Sequence, residues 1–267
     1  MHAHTRNGHS FVAGSLIGTL GGLIGLGGAE FRLPVLVGVF RLDTLQAIIL
    51  NKAISLVVVV AALIFRSSAT PPESVLAHVD VVFNLLAGSL IGAWWAAGHA
   101  INLPRQWLDR IVLLLLTGLS LLILFEAWQG VHGSGAALIE AGAWRWGAGL
   151  IAGLAIGMLA AFLGVAGGEL LIPTIVLLYG LDIKLAGSLS LMVSLPTMMV
   201  GFARYRQADA FAVLRQERSL LVWMAAGSIL GTALGGLLLG RMPTEWLMSL
   251  LGVLLLVSAI KTFQHAY

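Results

Sequence analysis

Gly25-Leu26-Gly27-Gly28-Ala29-Glu30 recurs 139 residues later as Gly164-Val165-Ala166-Gly167-Gly168-Glu169. The same ungapped shift carries Pro34 onto Pro173, Asp43 onto Asp182, Ser55 onto Ser194, and Pro104 and Trp107 onto Pro243 and Trp246. It also aligns Gly14 and Gly18 with Gly153 and Gly157, and Gly88-Ser89 and Gly92 with Gly227-Ser228 and Gly231. Glycine or leucine matches mean little in so biased a composition, but Glu, Asp, Pro and Trp matching in one register identify an internal repeat.

Around this repeat the chain is apolar. Hydrophobic residues make up 59% and charged residues 10% of the 267 residues, where a soluble domain carries about 25% charge. Mean hydropathy is +0.98. Apolar runs near the length that spans a hydrocarbon core occur at Ala47–Phe65, Val81–Ile101, Ile111–Phe125, Leu220–Gly240 and Trp246–Ile260. These features predict an all-α, polytopic membrane protein. The net charge of +3 comes with no basic stripe, so nucleic acid is not an expected partner. With no cysteine, disulfides and thiolate metal sites are excluded. No nucleophile–base pair, phosphate loop or metal-ligand spacing is present, so neither an enzyme nor a cofactor is expected. Residues 1–10 lack a Lys/Arg-rich leader, and the apolar segment after them is expected to be retained in the membrane.

The expected organisation is a cytoplasmic tail (1–10), a first transmembrane repeat (11–129), a Gly-rich connector (130–142) and a second repeat (143–267). Each repeat opens with a Gly-rich apolar segment, breaks at its glycines and continues into a short piece containing Pro34 or Pro173. The first segment, about 15 residues, is short for a full crossing, which suggests a hairpin dipping to about the midplane; full crossings by both of its arms would leave the loops on the same sides. Three longer helices complete each unit, giving an odd number of crossings and two inverted repeats. The distribution of cations fits this inversion. Arg6, Arg41, Arg105, Arg110, Arg204, Arg206, Arg215, Arg218 and Lys261 fall on the cytoplasmic side, while Arg66, Arg145, Lys184 and Arg241 fall outside and Arg32 within the hairpin. Both termini are then cytoplasmic.

Irregular backbone at membrane depth is tolerated where it lines a cavity or is buried in protein, and paired interruptions in two repeats point to a transporter's substrate site. A helix restarting after a break offers free N–H donors and partial positive charge, and glycine lets a ligand approach the backbone. A small anion is the ligand this suits. The candidate binding residues are Gly25, Gly27, Gly28, Glu30, Asn51, Lys52, Ser55, Gly164, Gly167, Gly168, Glu169, Ser190 and Ser194. Glu30 and Glu169 are also candidates for proton coupling, since a midplane carboxylate is functional by default; capping of the restarted helix is the bland alternative. Asn51 and Ser55, four residues apart, share a helix face. Lys52 aligns with Leu191; it can meet the anion, pair with a glutamate or snorkel. Gly14, Gly18, Gly22, Gly88, Gly92, Gly227 and Gly231 form small-residue faces for close helix packing, and tryptophans cluster near helix ends as interfacial anchors.

The Gly-Gly breaks leading into Pro-containing helices, together with Asn51-Lys52 and Gly187-Ser188-Leu189-Ser190-Leu191, resemble the TauE/SafE sulfite-exporter family. The resemblance covers roughly residues 11–262. It implies export of sulfite, sulfoacetate or a related anion across a bacterial inner membrane by alternating access. The expected partners are the small anionic substrate and membrane lipids, with a homodimer left open. A carrier of a short carboxylate such as lactate, an anion channel, and a non-transporting scaffold are the alternatives.

Overall fold

The structure, a computed structural model, describes residues 3–25, 27–42, 44–67, 70–99, 117–118, 121, 124, 137–163, 167–205, 212–243, 245–247, 249–253 and 256. Among them there is no strand, and the helices used below are α1 Ala3–Ile24, α2 Ala29–Gly38, α3 Thr44–Arg66, α4 Pro72–Leu76, α5 Val79–His99, α6 Ala143–Leu163, α7 Gly168–Tyr179, α8 Ile183–Tyr205, α9 Val213–Gln216 and α10 Arg218–Leu239. Helices satisfy every interior backbone group within one segment, as a membrane interior demands. Five contain stretches long and apolar enough to span a bilayer: Gln46–Arg66, Val79–Ala96, Ala143–Ala161, Ile183–Ala203 and Arg218–Leu239. The expected span Ile111–Phe125 and the connector lie largely outside the described residues, and Trp246–Ile260 does so in part.

Helix boundaries follow the repeat. Shifted by 139 residues, Thr44–Arg66 falls on Ile183–Tyr205, and the starts of α2 and α5 fall on the starts of α7 and α10. Packing follows it too. On α1, a methyl added to Gly14 or Gly18 would strike the backbone of Met224 or Ser228 on α10. At the equivalent Gly153 and Gly157 of α6 it would strike Leu85 and Ser89 of α5, the same positions moved by one repeat. The reciprocal glycines behave alike, Gly227 and Gly231 against Phe11 and Ser15, and Gly88 and Gly92 against Leu150 and Leu154. Each repeat therefore lends its first helix to the other, and the expected small-residue faces form these two seams, where only glycine lets backbones approach so closely.

The order of contacts fixes directions. Residue numbers rise together along α1 and α10, and along α5 and α6. The equivalent helices α3 and α8 run oppositely: Arg66, ending α3, bonds Lys184 O near the start of α8, while the Lys52 ammonium lies against Gly201 toward the end of α8.

Residues 3–10 are helical: α1 is a 22-residue helix starting at Ala3. Their polar groups find partners at the start of α10, where Arg6 Nη2 donates to Glu217 Oε2 at 2.6 Å and Ser219 Oγ donates to Asn7 Oδ1 at 2.8 Å. Helix α1 is nearly as long as the 23-residue α3, and its last carbonyls meet the far end of α3 at Arg66. The exposed surface carries Val57, Val60, Ile64, Ile91, Ile151 and Leu234, as a lipid-facing wall would. Of the expected anchors, Trp94, Trp95, Trp144, Trp146 and Trp246 are exposed.

Candidate functional site

Three glycines with left-handed φ make the first break: Gly25 at 96°, Gly27 at 80° and Gly28 at 72°. Gly28 is the N-cap of α2, and no side chain caps it. At the second break Gly167, φ 76°, is the uncapped N-cap of α7, whose first residue is Gly168. Gly28 packs on Ile17, and Gly167 on the repeat-equivalent Ile156. Gly164 lies outside the described residues. Glu30 and Glu169 occupy the second helical positions of α2 and α7; their side chains are not among those described.

The first break is surrounded by polar groups. Asn51 Nδ2 donates to Ala29 O at 2.9 Å. From the opposite helix, Ser190 Oγ donates to Gly25 O at 3.1 Å and to Gly187 O at 2.9 Å. Repeat-equivalent residues thus serve the same break from two sides. Ser55, Ser190 and Ser194 are fully or almost fully buried, as is Lys52, whose ammonium lies against Gly201.

The centre of this layer is a residue that sequence reasoning placed only "within the hairpin". Arg32 is completely buried. Its Nη1 donates to Ser55 Oγ at 2.7 Å and to Asn51 Oδ1 at 3.2 Å. Its Nη2 reaches Gly27 O and Ser228 Oγ, both at 3.4 Å. Asn51 and Ser55 share a face, as expected, and that face holds Arg32. Arg66, expected on the outer side, is buried in the protein, with Nη1 donating to Gly22 O and Leu23 O at 2.8 and 2.9 Å, Nη2 to Lys184 O at 2.8 Å and Nε to Ser188 Oγ at 3.3 Å. It satisfies carbonyls that the end of α1 leaves without helical partners.

The family model of the sulfite exporter TauE/SafE matches residues 10–262, nearly the whole chain. The chain belongs to the TauE/SafE family. Searches of curated proteins and of solved structures each returned no match. Membership implies an integral multi-pass membrane transporter of the sulfite or sulfonate exporter type.

Within this TauE/SafE protein the structure brings Gly25, Gly27, Asn51, Ser55 and Ser190 into one bonded layer. It leaves the described part of the second break on an apolar wall of Ile156 and Ala160. The signal that marks Arg32 in the sequence is a mismatch: the repeat shift aligns it with Leu171.

Proposed function

We propose that this protein is an alternating-access carrier exporting a small oxyanion, sulfite or an organosulfonate such as sulfoacetate, across a bacterial inner membrane. The observation that carries this reading beyond the family is the buried polar layer at the first break. There a fully buried guanidinium sits beside left-handed glycines and an uncapped helix start. A cation at such depth is a functional site by default, and anions favour helix N-termini.

The anion is placed by the amides around Gly27-Gly28, with Gly167-Gly168 as the equivalent pair in the second repeat. Asn51, Lys52, Ser55, Ser190 and Ser194 complete the polar surroundings. The two halves act as inverted repeats, a reading supported by the opposite directions of α3 and α8, and their relative rocking exposes the site to either side. Both termini are cytoplasmic in this reading. Glu30 and Glu169 supply proton coupling.

Flux into proteoliposomes, challenged in turn with sulfite, sulfoacetate, thiosulfate, sulfate and lactate, tests this function. Saturable flux of sulfite or sulfoacetate, accelerated by a pH gradient and slowed by Glu30→Gln, is expected. Flux of lactate alone assigns the carboxylate reading, and absence of any flux from folded protein overturns the carrier.

A further inference from the structure

The two breaks share a backbone, so the second serves as an internal control for what the fold itself requires. At the position of Arg32 the second repeat has Leu171, which is also buried, within the main apolar cluster. The scaffold therefore closes around an apolar residue at this place. Burying a charge costs several kcal/mol, and replacing buried ions by apolar groups is often neutral or stabilising. The shared backbone does not by itself require an arginine here.

The guanidinium is held unequally. Nη1 has the shorter contacts, to Ser55 and Asn51 of α3, which fix the plane of the fork. Nη2 faces the break and α10, where Gly27 O and Ser228 Oγ stand at 3.4 Å, near the outer limit of a hydrogen bond. A charged acceptor placed at this edge makes a shorter and stronger bond than either neutral oxygen. Gly27 is followed by Gly28, both with left-handed φ, so the intervening peptide can turn its carbonyl aside without moving a side chain. Ser228 offers a hydroxyl donor on the other flank. Its repeat equivalent Ser89 is engaged differently, with Thr197 Oγ1 at 2.8 Å.

We infer that Arg32 grips the transported anion through its Nη2 edge, in a one-sided seat between Gly27 and Ser228 rather than midway between the two breaks. This rests on the anion-carrier reading above. The chemistry names the class: a flat fork of N–H donors matches ions presenting two neighbouring oxygens, such as sulfite, a sulfonate or a carboxylate, over a spherical halide. Asn51 and Ser55 are positioning residues that act through Arg32.

Calorimetric titration of the full chain in nanodiscs with sulfite and with chloride tests the inference. The wild type is expected to prefer sulfite. Arg32→Gln is expected to weaken sulfite binding at least ~30-fold, as loss of a charge-assisted pair does. Arg32→Lys keeps the charge without the fork and is expected to retain anion binding while losing most of the preference for sulfite over chloride. Should Arg32→Gln fail to fold, Arg32→Lys decides. Unchanged affinity and selectivity in these variants would overturn the inference while leaving the carrier standing. No sulfite, sulfonate or carboxylate binding by folded wild type would overturn the carrier reading itself.

Discussion

At the first break Gly28 hands the chain to α2 at φ 72°, and at the second Gly167 hands it to α7 at φ 76°; each packs on the same isoleucine of its own first helix. Around this common geometry the side chains diverge. Arg32, Lys52 and Arg66 of the first repeat align with Leu171, Leu191 and Tyr205 of the second. Ser190, the second repeat's counterpart of Asn51, turns toward the first break by bonding Gly25 O. The glycine seams, by contrast, are the same on both sides. The scaffold is symmetric, and among the described residues the buried cations Arg32, Lys52 and Arg66 lie in one half of it. In the seams, where the halves agree, the glycines serve packing; at Arg32, where they differ, the residue is a candidate for function.

The sharpest way to break this contrast is to exchange the unequal pair. Arg32→Leu is expected to cut the initial rate of sulfite flux by about 100-fold, the loss of one buried charge-assisted contact, with the protein still inserted. The reverse change, Leu171→Arg, sets a charge in the apolar cluster and is expected to destabilise by about 3–5 kcal/mol, seen as loss of folded protein on size-exclusion chromatography. Next in size is Arg66→Ala, which strips the donor from Gly22 O, Leu23 O and Lys184 O. Thermal unfolding in nanodiscs should register about 3 kcal/mol, the cost of leaving buried acceptors unpaired.

The symmetric seams sharpen the comparison from the other side. Gly18→Ala and Gly157→Ala each push a methyl into the backbone of Ser228 or Ser89. Each should cost about 1–3 kcal/mol, and the two losses should agree within about 0.5 kcal/mol because the surroundings are equivalent. The smallest effect concerns Arg41, with φ 56°, which the repeat shift places on Gly180, with φ 68°. Arg41→Gly should raise thermal stability by about 1 kcal/mol by removing a Cβ from a left-handed position.

The repeat, the breaks, the all-helical class and the spans at Ala47–Phe65, Val81–Ile101 and Leu220–Gly240 were legible in the sequence because they depend on composition and on residues that recur in register. The grouping of Asn51 with Ser55 was legible because helical periodicity fixes a shared face. Arg32 escaped because a search for matches passes over a mismatch, and only the fold shows the break, α3 and α10 closing on it. An arginine ending a hydrophobic run ordinarily marks a membrane boundary, and nothing local reveals that the Arg66 side chain turns back to cap α1. The N-terminal extension of α1 was hidden for a related reason. The polar partners of residues 6–7 lie more than 200 residues away in the chain, at Glu217 and Ser219.

The one-sided seat is tested most directly by locating the ion. Selenite has the shape and charge of sulfite and a strong anomalous signal, so crystals of the protein grown with it would reveal its position without assumption. The account predicts a single selenium peak within hydrogen-bonding reach of Arg32 Nη2, between Gly27 and Ser228, and its absence in Arg32→Leu. A peak at the second break beside Leu171, or one that persists unchanged in Arg32→Leu, would contradict it.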